Sequence, residues 1–335
     1  MEFKKNRTNV AREIQKRPDI ISFLDSNEDL AKLFELPNEL PYHRVSLFKK
    51  LYFEVGNTGY YRINLPNNNR LFIKMEYANA MGNTHYARFW VIYLFLAEIL
   101  GVIIPGKTKL IEVTSGSSGI ALSIAAEKLG YDTTILVPSL LPEKRIKPMR
   151  RENVRVIKVD GYINECILKL REMIGQESFF ATNHSEEKAD VIVKVFSRIG
   201  HELINDVGNI DYAVIGMGNG TSTYAIAGVL KQYSDDIQIV SYRPHYEINP
   251  DDIVFGLIGA NIDCRHVPIA ENYVDEMKFT SGISIDDIKH NYQFDTEISN
   301  LGYSSLYGIH FALQISQNVT NKVLVSIGYD KIDRY

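Results

Sequence analysis

Two short stretches of this chain have the composition of anion-binding turns, and a third offers a pair of serines before a helical run. Thr114, Ser115, Gly116, Ser117, Ser118 and Gly119 stand between a β-type run, Lys109–Val113, and an alanine-rich helical one. Backbone N–H groups at a helix start and flanking hydroxyls converge there on a carboxylate-sized anion. A generic tight strand-to-helix turn is the plainer alternative. Gly216, Met217, Gly218, Asn219, Gly220 and Thr221 follow the strand Tyr212–Ile215 and open a helix at Ser222. Glycines let the backbone approach a phosphate, and the successive N–H groups form a cradle. A dinucleotide-binding turn is the competitor, but it belongs at the first strand of its unit with an acidic residue about twenty positions on. The late position of this loop argues against it. The third stretch, Gly302 to Gly308, offers Ser304 and Ser305 before a helical run. Ser304 reads either as a hydroxyl presented to a ligand or as a helix N-cap.

The segment holding Lys74, Glu76, Asn79, Gly82, His85 and Arg88 ties these turns together. It resembles the KxExxNPxGSxKDR segment of the cysteine synthase and cystathionine β-synthase family, the fold-type-II enzymes of pyridoxal phosphate (PLP). The turn at Thr114 resembles that family's TSGNTG loop, the turn at Gly216 its GTGGT loop, and Gly302–Gly308 its GISSGA segment. The resemblance runs from about Val55 to Ser326. It implies that Thr114, Ser115, Gly116 and Ser118 hold a substrate carboxylate, and that Gly216 to Thr221 hold the cofactor phosphate. It also implies that Ser304 meets the pyridine nitrogen, with Ser117 in the place of an asparagine that bonds the ring oxygen. His184 falls near the family's substrate-side Asn-Gln pair, and Gly256–Gly259 resembles its glycine-rich active-site loop.

The departure is at His85. Counted from Asn79, it takes the slot of the lysine that joins the cofactor as an imine, and imidazole cannot make that bond. Three readings stay open: a general base near neutral pH, a relic in a ligand-binding site, or an engineered or misaligned lysine. Ala80, Asn83 and Tyr86 also replace family residues, which points to natural divergence. Lys74, the nearest lysine, reads as structural. The other histidines show no ligand spacing.

The elements that must position these residues are legible in outline. Strand and helix runs alternate at short spacing from Lys109 onward, the pattern of parallel βαβ units: Thr133–Val137, Val154–Val159, Phe179–Ala181, Tyr212–Ile215, Ile237–Tyr242 and Val323–Ser326 read as strands. A strand at Leu71–Glu76 delivers the chain to His85. A helix then runs to about Leu100, with Phe89, Trp90, Tyr93, Leu94 and Leu96 on its buried side. Residues 1–52 carry helical periodicity broken at Pro18, Pro37 and Pro41. By the family's layout, 1–52 form a helical extension, 53–85 and 191–335 a larger α/β domain, and 86–190 a smaller one. The expected fold is therefore α/β, a two-domain, tryptophan synthase β-like architecture with mostly parallel sheets.

Composition narrows the function classes. The chain has 335 residues, 45% hydrophobic and 23% charged, with a formal charge of −4, which suits a soluble globular protein. No basic excess suggests nucleic acid and no charge run suggests a membrane surface. Apolar runs stop well short of a membrane span. The charged N-terminus lacks a signal-type apolar run. Two cysteines, Cys166 and Cys264, are too few for a disulfide framework or a zinc site. The expected location is the cytoplasm, and the resemblance implies a homodimer. It further implies a PLP-dependent lyase or transferase acting on an amino acid, by β-elimination or β-replacement on an activated serine or a variant of it. The alternative is a catalytically silent homologue that binds PLP, an amino acid or a partner enzyme.

Overall fold

The computed structural model describes residues 10–26, 29–176, 179–181, 191–245, 254, 256–257, 265–292 and 294–334. In chain order the strands are β1 (Tyr60–Leu65), β2 (Asn69–Lys74), β3 (Lys109–Val113), β4 (Thr133–Pro138), β5 (Val154–Val159), β6 (Phe179–Ala181), β7 (Tyr212–Gly216), β8 (Gln238–Arg243), β9 (Glu276–Phe279) and β10 (Val323–Ile327). They form two sheets, a larger one in the order β1-β2-β10-β7-β8-β9 and a smaller one in the order β5-β4-β3-β6. Among the paired strands only β1–β2 is antiparallel and the others are parallel. The fold is α/β with mostly parallel sheets.

Parallel sheets need both faces covered, and their strands read as near-continuous apolar runs. Accordingly β4 and β10 are buried along their whole length. The final strand, β10, enters between β2 and β7, with Val325 in register with Phe72 on one side and Ala213 on the other. Three stretches that leave the larger sheet at its carboxyl edge therefore emerge side by side: one after β2 toward His85, the glycine loop after β7, and Tyr329–Asp330 after β10. Ligands of open α/β sheets sit at this edge.

Three strands differ from the sequence reading. Strand β9 is additional to it, and so is β1, which a three-residue connection turns back onto β2 with Asn67 and Asn68 both at positive φ, 60° and 57°. Strand β2 spans Asn69–Lys74 instead of Leu71–Glu76, because Glu76 begins a 3-10 turn, Glu76–Ala78.

The helix Tyr86–Ile99 is buried on every side from Ala87 to Glu98, whereas periodicity suggested one buried face. The segment before it supplies the missing cover. Pro18 starts the helix Pro18–Asp25, a 3-10 turn spans Leu30–Glu35, and Pro41 caps the helix Tyr42–Phe53. Phe34 and Phe48 lie 4.7 and 5.2 Å, centroid to centroid, from Phe95. Arg44 forks onto the buried Glu98, with Nε donating at 2.8 Å, and the Tyr131 hydroxyl donates to the same carboxylate at 2.7 Å. An apolar helix with no polar face must be enclosed, and here the enclosing layer is the N-terminal helices.

Candidate active site

Parallel β3 leads into the helix Ser117–Leu129 through a turn that Thr114 organises. The Thr114 hydroxyl accepts from the N–H of Gly116 at 3.0 Å and of Gly119 at 3.3 Å. Gly116 holds φ at 144°, and a Cβ there would lie 2.8 Å from Arg145 Nη1. Thr114, Ser115, Ser117 and Ser118 line a cavity between the two sheets; Gly116 shapes the turn without lining it. Trp90 fastens the helix start from behind, its Nε1 donating to the Ser118 carbonyl at 2.9 Å.

The glycine loop after β7 closes the opposite wall. A Cβ on Gly218 would fall 2.5 Å from the Gly256 carbonyl, and one on Gly220, at φ 80°, would fall 2.6 Å from the Val267 nitrogen. Both positions exclude any larger residue without backbone movement. Gly216, Gly218 and Asn219 line the cavity. Met217 is buried away from it, with its N–H donating to the Tyr242 carbonyl at 2.9 Å. Thr221 serves the loop's own structure: its N–H donates to Asn219 Oδ1 at 3.1 Å, and its hydroxyl pairs with His266 Nδ1 at 2.9 Å.

Ser304 lies in the first turn of the helix Tyr303–Ser316, whose N-cap is Gly302. The hydroxyl of Ser304 is thus not consumed as the N-cap, and the residue is buried at the cavity wall. Its carbonyl accepts from the Tyr242 hydroxyl at 2.7 Å. His85 precedes the helix Tyr86–Ile99, is 8% exposed and also lines the cavity. Its ring stands among aromatic neighbours, 4.4 Å from Tyr86, 4.9 Å from Phe196 and 5.3 Å from Tyr329. His184, Gly259 and Cys264 lie outside the described residues.

The remaining motif residues form a buried ionic frame beneath the loop that carries His85. Arg88 donates from Nε and Nη2 to both oxygens of Glu76 at 2.9 and 2.6 Å, and from Nη1 and Nη2 to both oxygens of Glu202 at 2.6 and 2.8 Å. Lys74 pairs with Glu202 at 2.7 Å and stands 4.4 Å over the Tyr60 ring. Asn79 links the frame to the loop: Nδ2 donates to Glu76 Oε2 at 2.9 Å, and Oδ1 accepts from the Gly56 N–H at 2.8 Å. Burial alone would raise the Glu202 carboxyl; hydrogen bonds and charge from Arg88, with Lys74, reverse this and lower it to about 2. Glu76 is likewise held below the usual carboxylate range, Arg88 overriding the cost of burial. Lys74 is therefore structural, and no lysine lines the cavity among the described residues.

Sequence reasoning did not single out Arg145, Ser222, Tyr329 and Asp330, all of which line the cavity. The available signal was position: Tyr329 and Asp330 directly follow a carboxyl strand end, and Arg145 was visible only as one residue of a basic helix.

A sequence profile of the family described as pyridoxal-phosphate dependent enzyme matches residues 52–277. The chain belongs to this family. Among curated members, it is 26% identical to the cysteine synthase of Staphylococcus aureus over 178 residues, which is 52% of this chain and 56% of that protein. It is 23% identical to cysteine synthase A of Escherichia coli over 312 residues, 86% of this chain and 94% of that one. The chain thus spans little more than half the length of the first relative and nearly all of the second. Among solved structures, the O-acetylserine dependent cystathionine beta-synthase from Helicobacter pylori superposes with a TM-score of 0.72 at 22% identity, covering 85% of this chain and 96% of that one. That likeness shows a shared fold.

The family's cofactor is pyridoxal phosphate, and the cavity fits it except at one point. Gly216, Gly218, Asn219 and Ser222 line one wall at the start of the helix Thr221–Tyr233, where backbone N–H groups suit a phosphate, while Gly218 has no room for a side chain beside the Gly256 carbonyl. The Tyr329 hydroxyl is buried at the cavity wall, facing the Gly216 backbone and the Ser222 side chain. Burial keeps its phenol well above the ordinary value, so it presents a proton. The exception is the covalent anchor, for which the described lining residues offer His85 and no lysine.

Proposed function

We propose that this protein is a cysteine-synthase-like enzyme that holds pyridoxal phosphate without a lysine link and acts on an amino acid, by β-elimination or β-replacement on an activated serine or a variant of it. The observation that carries the reading is the convergence of His85, the Thr114–Ser118 turn, the Gly216–Asn219 loop and Ser304 on one cavity. Bound there, pyridoxal phosphate supplies an electron-withdrawing ring that stabilises negative charge at an amino acid's α-carbon.

The chain's residues divide the remaining work. Gly216, Gly218 and Asn219, at the start of the helix Thr221–Tyr233, hold the phosphate. Ser304 offers a neutral hydroxyl to the ring nitrogen. Thr114, Ser115 and Ser118 hold the α-carboxylate, and His85 takes a proton at the α-carbon. The shorter Ser117 leaves the ring oxygen less firmly held than an asparagine would. We further propose the two-domain division at 53–85 with 191–335 and at 86–190, a homodimer, and a cytoplasmic location. Among the described residues no helix is long and apolar enough to cross a membrane.

A second reading, a homologue that binds PLP or its amino-acid adduct without turnover, is favoured by the lysine-free lining. Absorbance of the purified protein with PLP, followed by borohydride reduction and peptide mass spectrometry, tests both. Saturable binding without a covalent adduct is expected, and a reduced cofactor fixed to a lysine would refute the lysine-free site. Turnover of an activated serine separates the two readings: under the first it is present in the wild type and lost in His85→Gln with PLP binding retained, and under the second it is absent.

A further inference from the structure

Arg145 and Asp330 meet across the cleft between the two sheets. Arg145 belongs to the helix Glu143–Ile146 beside the smaller sheet, and Asp330 follows β10 of the larger one. Their side chains are 2% and 4% exposed, and they pair at 3.3 Å. The other arm of the guanidinium, Nη1, donates to the Ser115 carbonyl at 3.1 Å and packs against the bare Cα of Gly116. On the far side, the Asp330 carbonyl accepts from the Gly302 N–H at 2.9 Å, and the Tyr329 N–H donates to the Ser305 hydroxyl at 2.9 Å. A continuous line of polar contacts therefore runs from Ser115 through Arg145 and Asp330 to Gly302, two residues before Ser304.

We propose that the Arg145–Asp330 pair is a positioning device that sets the Thr114–Ser118 turn at a fixed distance from Ser304. It thereby aligns an amino acid's carboxylate with the ring that Ser304 supports. This rests on the reading that the turn receives the α-carboxylate. A buried pair is a poor source of net stability, whereas its two-sided hydrogen bonding fixes geometry. A purely electrostatic role would have the opposite signature. Asp330 offsets the guanidinium charge beside an anion site, so removing its charge should tighten carboxylate binding if charge governs and weaken it if position governs.

The test uses the intact chain and the variants Asp330→Asn, Arg145→Met and Arg145→Lys. Without ligand, hydrogen exchange across residues 115–119 should quicken about tenfold in the first two, the loss of one charge-assisted hydrogen bond. Exchange at residues 217–221 should stay as it is, and Arg145→Lys should restore part of the protection. Trp90, the single tryptophan, should shift its emission in step through its bond to Ser118. Unchanged exchange at 115–119, or an equal rise in both loops, overturns the proposal. With pyridoxal phosphate as probe, affinity should hold within about twofold, as for separate sites. L-serine binding to the loaded protein should weaken about tenfold in Asp330→Asn, and tightened or unchanged L-serine binding overturns the proposal. Should the wild type bind neither probe, the proposed function fails, and the exchange comparison still decides the positioning role.

Discussion

Replacing Arg88 by methionine should cost about 3–5 kcal/mol at neutral pH, the range for breaking a buried ion pair by removing one partner. The geometry places it near the top of that range. Arg88 alone makes four hydrogen bonds to two carboxylates, and the three side chains are 3%, 0% and 9% exposed. Methionine fills most of the space but leaves Glu76 with only Thr58 and Asn79 as side-chain donors; Glu202 keeps Lys74 and Arg198. With a urea slope of about 3 kcal/mol/M, the unfolding midpoint should fall by about 1 M or more. The pH dependence is the sharper check. In the wild type, Glu202 has a folded value of about 2 against an ordinary 4.5, so its contribution is fully present above pH 4.5 and is lost as pH falls toward 2. In the variant, a buried carboxyl without its cation binds a proton more readily than in the unfolded chain, so acidification toward pH 4.5 stabilises it. The gap between the two proteins should therefore narrow on acidification. A cost below about 1 kcal/mol at pH 7, as for an exposed pair, or a gap that is the same at pH 7 and pH 4, would refute the idea that Arg88 neutralises a buried pair of carboxylates.

Other outcomes follow from the same structure. Gly218→Asp puts a Cβ 2.5 Å from the Gly256 carbonyl and a charge in the phosphate cradle; it should abolish PLP binding by absorbance titration. Tyr329→Phe removes the buried hydroxyl that faces the Gly216 backbone and Ser222 at the cavity wall. It should weaken PLP binding in absorbance titration about tenfold, the worth of one hydrogen bond to a charged group. Phe95→Ala, between Phe34 and Phe48, should cost about 3–5 kcal/mol in chemical denaturation.

The sequence revealed most where a residue's chemistry and its local period agree. The βαβ alternation placed β3 with its turn and β7 with its loop, because buried parallel strands are written as short apolar runs bounded by glycine and serine. It passed over β9, and over β1 although the exposed Arg62 and Asn64 alternate there with apolar residues, because the turn that pairs β1 with β2 is made by two asparagines without glycine. It understated the burial of the helix Tyr86–Ile99, since periodicity can show an apolar face but not the arrival of a second covering layer from residues 18–53. Thr114, Ser118 and Gly218 could be singled out because their types suit anion contacts at a strand-to-helix turn, whereas Ser304 was singled out through the family resemblance of Gly302–Gly308. Arg145 and Asp330 could not, as they lie 185 positions apart and acquire meaning only when two sheets face each other.

The frame of Lys74, Glu76, Asn79 and Arg88 has a consequence for how the chain is recognised. Each member is fixed by the burial of the others, so a change at one leaves a stranded charge or a broken tie. His85 stands at the edge of that frame with its ring against aromatic neighbours and a cavity. The segment that makes the chain recognisable is thus largely a foundation, and a match to it reports a shared scaffold more directly than a shared reaction.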